Sequence, residues 1–234
     1  MMTNKISKKG FTLLETVIAI GVLAVLLTGF MYVFAPAAAG IRKAITVQEA
    51  DRLTSTLENE MNTLRDDETT EYATAFDKAF DWILNSNDAG TALLVYRYRS
   101  SIDGSGDPVK NVNTQIPGQD YVVRTMVRRA DDTTELQADL EAVEGSVFAV
   151  KCTQLVFNSG DMELGTAGTI RDPNTSGSTV STADDYPEAV IAFAAEFYIL
   201  PSRSSSYFTS GGGFSTGFDQ LQRPTFTRNL AVRR

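Results

Sequence analysis

The residues able to do chemistry are few in this chain of 234 residues, and their placing is uneven. There is no histidine. That removes serine–histidine and cysteine–histidine catalysis, histidine acid–base work and every histidine-ligated metal site. Cys152 stands alone, so neither an internal disulfide nor a multi-cysteine zinc site can form. Asp103-Gly104-Ser105-Gly106-Asp107 alternates oxygen donors as calcium loops do. Its sixth position is Pro108, where an EF-hand loop needs glycine, and its twelfth is Thr114, where it needs glutamate. A polar turn between strands is the better reading. There is no phosphate loop, dinucleotide fingerprint or nucleophile motif, so no enzyme is expected. The group that demands an explanation is Glu15, a carboxylate set four residues into an apolar run. A charge at the centre of a membrane helix costs about 2.5–3.5 kcal/mol even on a lenient scale, so such an acid implies a function and a partner.

The element that carries Glu15 is long. From Thr16 to Ile41 no side chain is charged, and the apolar run continues to Ala39. A helix of about 20 residues spans a bilayer. Lys5, Lys8 and Lys9 precede the run and favour a cytoplasmic N-terminus, while Arg42 and Lys43 on the far side oppose it. A plain membrane anchor is one reading. A secretory signal is another, with Ala37-Ala38-Ala39 as a cleavage site after Pro36, although the run exceeds the usual apolar region of about 7–15 residues. Neither explains Glu15.

A third reading does. Lys8-Lys9-Gly10-Phe11-Thr12-Leu13-Leu14-Glu15 resembles the processing site of type IV pilins and of the pseudopilins of type II secretion. The resemblance covers about residues 1–40. It implies that a prepilin peptidase cuts between Gly10 and Phe11 and methylates the new amine of Phe11. It also implies that Glu15 pairs with the Phe11 amine of a neighbouring subunit during assembly. Removing one member of a buried ion pair costs about 3–5 kcal/mol, which suits Glu15 to setting register and recruitment. Many members of the family carry a helix-bending proline nearer mid-segment. Here Pro36 lies near the end, where it removes one hydrogen bond and is expected to kink or locally melt the helix. In some pseudopilins a long loop such as the one holding Asp184-Asp185 binds calcium. The ligand pattern is not matched, so no cofactor is expected, and calcium at Asp103, Asp107, Asp184 or Asp185 stays the alternative.

Beyond the apolar run, Leu53, Leu57, Met61 and Leu64 form one helical stripe, with Arg52, Ser55, Glu58, Glu60 and Arg65 on a solvated face. One helix from Thr12 to Arg65 is expected. A second, Thr69–Asn85, carries Tyr72, Phe76, Phe80 and Ile83 on a core face, and a short third is possible at Thr134–Val143. Four strands follow at Ala92–Arg99, Asp120–Arg129, Val147–Phe157 and Ala189–Leu200. Phe148, Val150, Cys152 and Val156 share one face, so Cys152 reads as a buried apolar residue. The fold class is α+β: a long N-terminal spine helix, transmembrane in its first half, packed on an antiparallel sheet of about four strands with the helices on one face, pilin-like. Two stretches, 159–187 and 202–220, read as long loops. In the second, Tyr207, Phe208, Phe214 and Phe218 are expected to pack back on the head. Arg128-Arg129 and Arg233-Arg234 read as solvated ends.

The domains expected are a leader at 1–10, a transmembrane and assembly half-helix at 11–40 and an extracytoplasmic head at 41–234. The function implied is a structural subunit, minor or initiating, of a type IV pilus or a type II secretion pseudopilus. Its partners would be prepilin peptidase, other pilin or pseudopilin subunits, an inner-membrane assembly platform and the bacterial inner membrane, crossed once with the N-terminus cytoplasmic. A formal net charge of −8 argues against nucleic acid. The alternative is a membrane-anchored or secreted binding protein that forms no filament.

Overall fold

A computed structural model describes residues 12–158, 160–209 and 211–234. Two compact units divide the chain, one ending at Ile45 and the other spanning Thr46–Arg234. Helix α1, Leu13–Met61, contributes to both and runs through Pro36 without a break. In the first unit its large apolar side chains are all exposed, from Leu13 at 85% to Ile45 at 58%. Thr16 and Thr28 fit this apolar stretch because their hydroxyls donate back to the carbonyls of Thr12 and Ala24, at 2.9 and 2.8 Å. Phe30 and Phe34, one turn apart, stack at 4.0 Å.

In the second unit the last turns of α1 bury Leu53, Leu57 and Met61, as the stripe predicts. The following helix is shorter than Thr69–Asn85. Helix α2 spans Ala75–Asn85 because Thr74 caps it: its hydroxyl accepts from the Asp77 N–H, and the Asp77 carboxylate accepts from the Thr74 N–H at 2.8 Å. Tyr72 therefore lies outside the helix, yet it is buried and donates its hydroxyl to Asp81.

All four expected strands form, as β1 Leu93–Ser101, β2 Tyr121–Arg129, β3 Phe148–Asn158 and β7 Val190–Ile199. The sheet has six strands, not four. Strand β8, Phe226–Arg233, pairs with β7 at one edge, and β4, Asp161–Leu164, pairs with the end of β3. The order β2-β1-β3-β7-β8 is antiparallel throughout. Register places Val95 opposite Val127 and Val150 opposite Phe197, so apolar residues share a face across strands. A separate pair of short strands, β5 Ile170–Arg171 and β6 Thr179–Val180, lies within the stretch read as loop. Gln154 binds it in place, accepting from the Arg171 N–H at 2.7 Å and donating to its carbonyl at 3.0 Å.

The helices do not keep to one face. One core joins α1 and α2 to Leu93, Val95, Val150, Phe193 and Phe197. A second, built on Leu94, Tyr96, Tyr98 and Ala149, is covered by helix α3, Thr133–Glu141, and helix α4, Phe214–Asp219. Strand β1 opens with the unbroken apolar run Leu93-Leu94-Val95-Tyr96 and is buried on both sides. The aromatics of 202–220 pack as expected: Phe214 and Phe218 are buried, Tyr207 meets Phe214 edge to face, and Phe208 lies tilted against it.

Four charged side chains depart from expectation. Glu60 is buried instead of solvated, and it pairs with Arg65 and with the fully buried Lys78 at 2.8 Å. The Lys78 ammonium also reaches Glu68 at 2.7 Å and the Thr63 carbonyl at 3.1 Å, and lies 4.6 Å from the Trp82 ring centroid. Three acceptors and an aromatic face replace the water it loses. Arg128 and Arg129 are not solvated ends. Arg128 donates to Asp139 at 2.7 Å, where the Tyr96 hydroxyl also donates, and Arg129 donates to Asp81 at 2.7 Å. Arg234 folds back to donate to the Ala183 carbonyl.

Candidate functional site

The site begins where α1 begins. Gly10 and Phe11, the expected processing positions, lie outside the described residues. Glu15 sits in the first turn of α1, near unpaired N–H groups and the positive end of the helix dipole. One carboxylate oxygen, Oε2, accepts from both the Thr12 N–H and the Thr12 hydroxyl at 2.9 Å. The Thr12 hydroxyl in turn accepts from the Glu15 N–H at 3.3 Å. This is a reciprocal capping arrangement, and it gives the carboxylate a partner within the isolated chain. Reading the sequence for charge alone passes over Thr12. The spacing Thr12-x-x-Glu15 is the signal that could have found it.

Beyond this cap, Thr16 and Thr28 spend their hydroxyls on helix carbonyls one turn back. Among the described residues, Leu13, Leu14, Val17, Ile18, Ile20 and Val22 are exposed, as are the large apolar side chains that follow them to Ile45. The length and composition of this stretch are enough to cross a membrane. An uncovered apolar helix with one capped acid at its start can do two things chemically. It can lie in lipid, and it can present that acid to a cation on an adjacent helix.

The other candidates are not drawn into one site. Asp103 closes its own turn: its carboxylate accepts from the Ser105 N–H at 3.0 Å and the Ser105 hydroxyl at 2.7 Å. Hydrogen bonds from Ser105 and then Ser101 hold the Asp103 carboxyl below the usual carboxylate range. The carbonyl of Asp107 accepts from the Ser101 N–H, closing the same loop. Asp185 accepts from the Thr182 hydroxyl at 2.7 Å. Among the described residues no three acidic or sulfur side chains gather closely enough to hold a metal ion. Cys152 is fully buried, and burial pushes its thiol up to about 12 against the opposing hydrogen bond with Ser86. A polar cleft of about 360 Å³ is lined by Glu60, Arg65, Glu71, Tyr72, Arg128 and Arg129 among others. Within it Glu60 pairs with Arg65, and Arg129 lies 3.9 Å from the Glu71 carboxylate while its main partner is Asp81.

The fold and the site together define a class: an α+β head with a pilin-like helix–sheet arrangement, continuing an apolar helix that fits membrane anchoring. Residues 6–31 match the prokaryotic N-terminal methylation motif, the signature of type IV pilins and pseudopilins. The match ends within the apolar segment and does not reach the head. No curated protein and no solved structure matches the chain. The motif supports a prepilin-processed protein, a structural subunit rather than an enzyme.

Proposed function

We propose that this chain is a structural subunit, minor or initiating, of a type IV pilus or a type II secretion pseudopilus. Prepilin peptidase cuts between Gly10 and Phe11 on the cytoplasmic side and methylates the Phe11 amine. The leader is residues 1–10, the transmembrane and assembly segment 11–40, and the extracytoplasmic head 41–234. The observation that carries this reading is Glu15, held at the exposed start of an uncovered apolar helix inside the matched motif. In the single subunit Thr12 satisfies the carboxylate. In the assembly the methylated amine of a neighbour takes over one of its oxygens, because enclosure by other helices makes an unpaired ion costly. Pro36, without an N–H, lets the helix bend where the apolar segment ends. The large head and the elaborated 159–187 and 202–220 segments favour a minor or initiating place over the bulk subunit. Neighbouring subunits and an inner-membrane platform are the partners.

The N-terminus of the mature protein tests this. Methylated Phe11 is expected. An intact Met1, or a start at Gly40, would favour an anchored or secreted binding protein instead. Gly10→Val should leave the leader attached, since the peptidase must fit an unbranched residue at its cut; normal maturation of that variant on an immunoblot would refute the assignment.

A further inference from the structure

The 159–187 stretch carries a motif that filament assembly does not use. Of the chain's ten asparagines, only Asn174 has a hydroxyl residue two positions on. Asn174-Thr175-Ser176 fits the acceptor pattern for N-linked glycosylation, in which any residue but proline stands between the two. Such a pattern has chemical meaning only on an accessible loop, and the fold supplies one. Asn174 lies in the turn 172–178 that joins β5 to β6. The stem of this hairpin is fixed, since Ile170 and Val180 are buried in the core that α1 and α2 share with the sheet, and Gln154 holds both backbone groups of Arg171. The Asp172 N–H donates to the Ser178 carbonyl at 3.0 Å and closes the loop. Asp172-Pro173 then starts a tight turn. Proline presets its own φ, the Thr175 N–H reaches back to the Asp172 carbonyl at 3.4 Å, and the Asp172 carboxylate accepts from the Asn174 N–H at 2.8 Å. Asn174, Thr175 and Ser176 are all exposed at its corner. Among the described residues the Asn174 Nδ2 meets Glu188 alone, donating to its Oε1 at 3.1 Å. An amide nitrogen carries two hydrogens, so one is left over.

We infer that Asn174 is an acceptor for an N-linked glycan. The co-substrate is an oligosaccharide carried on a polyprenyl diphosphate, and a membrane-bound oligosaccharyltransferase makes the transfer. Nδ2 of Asn174 attacks C1 of the first sugar. The bond from C1 to the diphosphate oxygen breaks, and polyprenyl diphosphate leaves with that electron pair. The proton lost from Nδ2 passes to the transferase, and nothing is oxidised or reduced. Ser176 is the recognition residue, because its hydroxyl is the feature that distinguishes this asparagine from the other nine. The site also suits a bulky, hydrated product. The acceptor stands at the exposed corner of the turn, while the buried Ile170 and Val180 lie at the other end of the hairpin, so a glycan displaces only the surface hydrogen bond to Glu188. This role for Asn174 rests on the reading of 41–234 as an extracytoplasmic head, since the lipid-linked sugar is presented on that side of the membrane.

The test uses the full chain purified from the membranes of its own cells. Trypsin releases residues 172–203 as one peptide, because no lysine or arginine lies between Arg171 and Arg203. The mass of that peptide should exceed its sequence value by a sum of sugar residues, and electron-transfer fragmentation should place the addition on Asn174. Asn174→Gln should abolish it. Ser176→Ala should lower occupancy at least tenfold although the asparagine is intact, and Ser176→Thr should keep it. Both positions are exposed, so the melting curves of the variants should match that of the unmodified chain. A bare Asn174 on chains that start at methylated Phe11 overturns the inference and leaves the processing reading standing. A bare Asn174 on chains that keep Met1 overturns both. Sugar on a serine or threonine of the same peptide, with Asn174 bare, also overturns it, as does full occupancy in Ser176→Ala.

Discussion

Replacing Glu15 by glutamine separates two roles that alanine removes together. In the structure Oε2 of Glu15 accepts two hydrogen bonds from Thr12. Glutamine keeps a carbonyl oxygen at that place and can complete the same cap, since Gln serves as well as Glu at the third helical position. It carries no charge, so it cannot neutralise the amine of a neighbour. Losing a cap costs about 1 kcal/mol, roughly a fivefold change in an equilibrium. Leaving an enclosed cation without its anion costs about 3–5 kcal/mol, more than a hundredfold. If the ion pair governs assembly, Glu15→Gln and Glu15→Ala should fall together by at least that larger factor, while Thr12→Ala should lose no more than about fivefold. The assay is quantitative immunoblotting of processed, membrane-bound and filament fractions for the three variants. Processing and membrane insertion should be unchanged in all of them. Co-expressed wild-type chain should ease the defect if neighbours supply their own acids. Recovery of Glu15→Gln in filaments at the wild-type level, with Glu15→Ala reduced, would show that the carboxylate only caps the helix, and the charge-pair argument would be wrong.

Other outcomes follow from the head. Lys78→Met should destabilise it by about 3 kcal/mol, because Glu60 and Glu68 lose a buried ammonium, and a urea midpoint shift worth less than about 1 kcal/mol would contradict the network. Calcium in excess should leave the melting temperature of the full chain unchanged; a site filled at 100 times its dissociation constant would add about 2.7 kcal/mol, which is roughly 5–10 °C at this size. Cys152 should resist alkylation until the chain unfolds. Its thiol rises from its ordinary value near 9 to about 12 on folding, so its contribution to stability is full below pH 9 and is lost as pH climbs from there to about 12. Denaturation curves of wild type and Cys152→Ala across that window would check the sign.

Features written in neighbouring residues were legible without coordinates. The N-terminal motif, the apolar segment, the stripe Leu53-Leu57-Met61-Leu64 and the expected inward alternation of Ile191, Phe193, Ala195, Phe197 and Ile199, which fails only at the exposed Ile199, are each a matter of local spacing, and local spacing sets which face a helix or strand must bury. Thr12-x-x-Glu15 was equally local, and reading the acid only for its charge hid it. What the sequence did not disclose depends on partners distant in the chain. Glu60 occupies the polar side of its helix by periodicity, and it is buried only because Lys78, eighteen residues on, arrives beside it. Arg128 and Arg129 look like solvent-facing charges until Asp139 and Asp81 close on them from α3 and α2. Strand β8 mixes Arg228 and Asn229 with Leu230 and Val232, and pairing with β7 gives it order that its own pattern leaves weak. Whether a charge is solvated or buried, and whether a weak strand forms, is set by desolvation and hydrogen bonding across the packed fold. Only the tertiary structure supplies those partners.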